Sequence, residues 1–190
     1  MALSVDFSAL PYFLLFTLAC GCTCDRWLRV ILSPRRTPHT AAISVLVAAV
    51  LFCVSGLSVT TLQYWLICQV LLYAGAYDLA THTVPDYVHI LLLFAGLVQV
   101  PDPLASAAGF LLAPLPLLLG ALLSPGSVGG ADIKLMAAVG VTLGPCRGMG
   151  ALAVGLLLAI LCQSAYGKRR NEPFPLVPYL GLGCFLALLA

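Results

Sequence analysis

Charge is what this sequence has least of. Only 8% of its 190 residues are Asp, Glu, Lys or Arg, where a soluble domain carries about 25%. Hydrophobic residues make up 62%, against roughly 45–50% in soluble domains. A water-facing surface cannot be built from so few charges, so a soluble globular protein is excluded. The net charge of +2 is too small to imply a nucleic-acid partner.

Paired cysteines are also missing. There are eight cysteines, but no C-x-x-C pair of the kind that seats zinc. Most lie within apolar runs, where cysteine acts as a small hydrophobe. Cys20, Cys22 and Cys24 alternate, a spacing that does not favour metal binding on a helix. A secretory n-region is lacking too: the first basic residue, Arg26, follows the apolar run 10–20 instead of preceding it. The run therefore reads as a first membrane helix with its N-terminus outside. No repeat is visible and no loop is long enough for a soluble domain. The expectation is one integral membrane domain over 1–190, with its chemical core at 60–145.

What is present is long apolar segments. Eight occur, at 7–25, 40–57, 59–77, 86–100, 104–123, 131–144, 146–166 and 175–190. Several approach the roughly 20 residues that span a bilayer as a helix. Proline and glycine separate them, notably Pro85, Pro101–Pro103, Pro125–Gly130 and Gly144–Pro145. The fold class is all-α, a polytopic membrane bundle. Arg26, Arg29, Arg35, Arg36, Lys134, Lys168, Arg169 and Arg170 fall on one side of an eight-span arrangement, and only Arg147 on the other. By the positive-inside rule that side is the cytoplasm, which places the protein as a multi-pass chain of the cell's inner (plasma) membrane.

The acids carry the chemistry. Asp78 ends one apolar run and Asp132 opens another, both at the cytoplasmic ends of their helices. Acids at membrane depth are costly and usually functional. Two carboxyls at one depth suit a pair that shares a proton, one acting as general base on water and the other as acid on a carbonyl oxygen. Such hydrolysis needs no metal and no cofactor. Taken singly, each aspartate reads equally well as a helix-end acid. Gly129 and Gly130, before Asp132, permit close approach of backbone, and Pro85 ends the loop after Asp78. Asp25 and Asp86 read as charges of the cytoplasmic face. Lys134 reads as a snorkelling interface anchor or, alternatively, as a charge partner of the aspartate pair.

At these residues the chain resembles the type IV prepilin peptidases and the related archaeal preflagellin peptidases, membrane aspartic proteases of the GxGD type. The matching stretches are Tyr77–Asp86, with Asp78-Leu79 and Val84-Pro85, and Gly129-Gly130-Ala131-Asp132-Ile133-Lys134-Leu135. A third, Pro173–Leu180, resembles the proline-rich lead-in to the family's last helix. The resemblance implies Asp78 and Asp132 as the catalytic pair, with Gly129, Gly130, Lys134 and Pro85 as motif or substrate-positioning residues. It implies a pilin-like precursor as substrate, cleaved after a short basic leader at the membrane surface. Ala131 stands where the family has its second motif glycine, and Asp86 where it has asparagine. The first cytoplasmic loop lacks the cysteine-bearing domain linked with N-methylation, so peptidase activity without methyltransferase activity is expected. Two alternatives stay open: an intramembrane protease akin to signal peptide peptidase, and a non-enzymatic transporter or scaffold.

Overall fold

A computed structural model describes residues 7–32, 40–126, 128–165 and 174–190. Asp6, Arg35, Arg36, Lys168, Arg169, Arg170 and Pro173 lie outside these residues. Among the described residues, a short 3₁₀ turn at Phe7–Ala9 is followed by eight helices: α1 (Leu10–Ile31), α2 (Thr40–Ser55), α3 (Val59–Thr81), α4 (Asp86–Leu97), α5 (Pro103–Leu112), α6 (Leu115–Leu123), α7 (Gly130–Ala165) and α8 (Val177–Leu189). The described residues contain no strand, and the chain is an all-α membrane bundle.

Length and apolarity make α1, α3, the α5–α6 pair and α7 long enough to cross a bilayer, while α2, α4 and α8 are shorter apolar helices. Large apolar side chains point outward, among them Val30 (82% exposed), Leu104 (80%) and Leu123 (83%). Water would penalise such a surface, and lipid does not.

Local chemistry sets the helix ends. Ser58 caps α3, its hydroxyl accepting from Thr61 N–H at 3.1 Å. Asp102 caps α5 by accepting from the amides of Leu104 and Ala105 at 3.0 and 3.2 Å. The expected segment 104–123 is one apolar stretch, Pro103–Leu123, long enough to cross a bilayer, with a two-residue turn at Ala113–Pro114 between α5 and α6. Pro114 and Pro116 have no N–H to donate to the preceding turn, and the helical ladder lapses there.

The expected break at Gly144–Pro145 is a fold-back within α7. Gly144 takes φ 70° and ψ −177°, a conformation open to glycine. A Cβ on Gly148 would lie 3.9 Å from the Cα of Gly140. Eight residues of straight helix would separate them by about 12 Å, so the two arms double back on one another. Helix α5 packs into this bend by backbone contact: a Cβ on Gly109 would strike the Gly140 carbonyl, and one on Gly140 would strike that of Gly109. Small residues at such crossings let helices associate in lipid, where packing replaces the hydrophobic drive.

Helices α4 and α8 each pack against both α3 and α7. The centre of this group is filled by Ile67, Leu92, Leu135, Met136 and Leu180, all essentially inaccessible.

Candidate functional site

The site grows from four helix ends brought to one end of the bundle. Asp78 lies in the last turn of α3, which His82 closes by donating its N–H to the Asp78 carbonyl at 2.8 Å. His82 holds the left-handed conformation, φ 54° and ψ 31°. Three residues later Pro85 (φ −64°, ψ 143°) starts α4, as expected of a residue ending this loop.

The Asp78 side chain is buried and turned toward α8. Its Oδ2 accepts from Val177 N–H, the first amide of α8, at 3.1 Å. Helix α8 has no side-chain cap of its own. An acid from α3 thus satisfies one of its orphan amides and meets the positive end of its dipole.

Asp132 lies in the first turn of α7, also buried, with its backbone N–H donated to the Gly129 carbonyl at 3.1 Å. A Cβ on Gly129 would be 2.9 Å from Asp132 Oδ2, so glycine there leaves room for the carboxyl itself. Gly130 faces open space. Asp78 near the C-terminal end of α3 and Asp132 near the N-terminal end of α7 thus stand at the same end of the bundle.

Contacts from α4 complete the cluster. Lys134 Nζ donates to Asp86 Oδ1 at 2.7 Å, both side chains well exposed. Lys134 is therefore partnered by Asp86, not by the aspartate pair, and Asp86 is more than a free face charge. His89, which sequence reasoning passed over, is buried on α4, its Nε2 3.0 Å from the Ala131 carbonyl oxygen. Asp25 also departs from expectation. It is buried, and its carboxylate accepts from the N–H and hydroxyl of Thr40 and, at 3.3 Å, from Ala41 N–H. Its work is to cap α2.

Two buried carboxyls at adjoining helix ends, next to glycines and open space, form a place where water and a backbone carbonyl can meet acid and base together. A model of the type IV leader peptidase family matches residues 65–167, more than half the chain, and spans both aspartate turns. No curated protein matches the chain, and no solved structure does.

Proposed function

The chain belongs to the type IV leader peptidase family and is a membrane peptidase, and from that premise we propose that it is an aspartic endopeptidase with Asp78 and Asp132 as its catalytic pair. In this reading the two carboxyls meet, and like charges that meet favour holding one proton between them. The ionised member takes a proton from water, and the resulting nucleophile attacks the scissile carbonyl. The protonated member gives its proton to the carbonyl oxygen, forming a gem-diol. The member that took water's proton then passes it to the leaving nitrogen as the C–N bond breaks, while the first member recovers a proton from a gem-diol hydroxyl, so the pair again holds one proton. The pair acts as one titrating unit, so neither residue is assigned acid or base alone.

The substrate in this reading is a type IV pilin-like precursor. Its short basic leader lies at the cytoplasmic face of the inner membrane, and its apolar segment lies in the bilayer. Support comes from the meeting of the two aspartate-bearing helix ends at one end of the bundle, joined by the Val177–Asp78 and Lys134–Asp86 contacts. Gly129, Gly130 and Pro85 shape the approach to the pair.

Co-expression with pilin-like precursors tests the proposal. Mass spectrometry of the mature chain is expected to show removal of the basic leader only when this protein is present. Precursors that stay intact, while a spent transmembrane signal peptide is cut, would favour the signal-peptide-peptidase type of substrate instead.

A further inference from the structure

The Asp132 turn begins on glycines that offer it little anchorage. Gly130 has no neighbour within 4 Å of where a Cβ would stand. Full burial of apolar side chains begins at Leu135 and Met136, one turn onward. Between these points the turn is gripped from outside by the first turn of α4. His89 Nε2 lies 3.0 Å from the Ala131 carbonyl oxygen, one residue before Asp132. A carbonyl only accepts, so Nε2 carries the hydrogen and donates it. His89 Nδ1 is buried without a hydrogen-bond partner, 3.9 Å from Asp86 Oδ1, and Asp86 in turn accepts from Lys134 two residues beyond Asp132. The grip thus closes on both sides of the acid.

The same turn of α4 follows Asp78 closely along the chain. Only residues 82–85 separate the end of α3 from the start of α4. Whatever fixes α4 against α7 therefore fixes the last turn of α3 against Asp132. We propose that His89 is a positioning residue: its hydrogen bond to the Ala131 carbonyl sets where the Asp132 carboxyl stands relative to Asp78. The role rests on the aspartic-peptidase reading above. It is a role in catalysis without contact with substrate, exerted through backbone. A buried imidazole with one donor committed to a neighbouring helix and its other nitrogen unpaired is costly for packing alone. An apolar side chain would fill the same space without that cost.

The test uses the full chain in lipid vesicles, cutting a pilin-like precursor with a basic leader and an apolar helix. Wild type is compared with His89→Leu, His89→Gln, Lys134→Gln and Asp132→Asn. Glutamine places an amide N–H near the position of Nε2, and leucine fills the volume without a donor. Since misplacement by 1 Å can cost about a hundredfold in rate, His89→Leu is expected to lower kcat about tenfold per folded molecule, with little change in KM. His89→Gln is expected to recover most of that loss, and Lys134→Gln to lower kcat in the same direction. A His89→Gln variant as slow as His89→Leu overturns the proposal. So does wild-type kcat in His89→Leu while Asp132→Asn is inactive. If His89→Leu does not fold, undiminished kcat in Lys134→Gln overturns it. Cleavage by Asp132→Asn removes the parent reading, and the positioning role falls with it.

Discussion

At the scale of single residues, buried acids in similar surroundings differ in what they face. Asp25 and Asp78 are both buried and both accept from the first amides of another helix, α2 and α8 respectively. Asp25 has Thr40 and Ala41 as partners, whereas Asp78 shares its end of the bundle with Asp132. Asp25→Ala removes the acceptor and leaves buried donors on Thr40. The expected cost is about 1–3 kcal/mol of stability, read as a lower thermal midpoint in detergent. Cleavage per folded molecule is expected to persist. The Asp78 and Asp132 positions were legible in sequence because carboxyls at membrane depth are rare and their neighbouring Asp-Leu and Gly-Gly-Ala-Asp stretches are distinctive. His89 and the capping work of Asp25 were not. Their meaning depends on which backbone groups of distant helices face them, and no spacing along the chain encodes that.

At the scale of elements, backbone proximity decides what holds. The Gly109–Gly140 crossing brings two helices together carbonyl against glycine, with α5 lodged in the bend of α7. Gly140→Ala is expected to destabilise by about 1–3 kcal/mol or more, as overpacking does. Gly150→Ala, with no neighbour within 4 Å, is expected to be neutral or to gain up to about 1 kcal/mol from helix propensity. Thermal unfolding of the two variants side by side checks the contrast. Apolar length and proline placement announced most helices correctly, including the break at Gly144–Pro145. The two-residue turn at Ala113–Pro114 within 104–123 went unforeseen because apolar content stays high across it, and hydropathy does not register a missing amide. Nor does hydropathy reveal that the Gly144 break is a reversal, which needs the φ of 70° seen there.

At the scale of the whole molecule, the ends of α3, α4, α7 and α8 that carry Asp78, Asp86, Asp132 and Val177 share one end of the bundle. The orientation proposed for that end is cytoplasmic. In a background with its other cysteines replaced, Cys146 is expected to react with an impermeant maleimide from outside the cell, and Thr83→Cys only after permeabilisation. The reverse pattern would invert the topology. The short first loop leads to a second expectation, that the mature N-terminus released by this protein alone carries no methyl group, as mass spectrometry of the product would read. The most direct measurement is precursor cleavage by Asp78→Asn and Asp132→Asn, each confirmed by protease mapping to be inserted and folded. Asparagine keeps an oxygen to accept from Val177 N–H, so the α8 cap survives while proton exchange does not. Each variant is expected to lose roughly 10²–10⁴-fold or more in rate, the scale of general acid–base catalysis. Wild-type cleavage by either inserted variant would contradict the claim that these two carboxyls work as a pair.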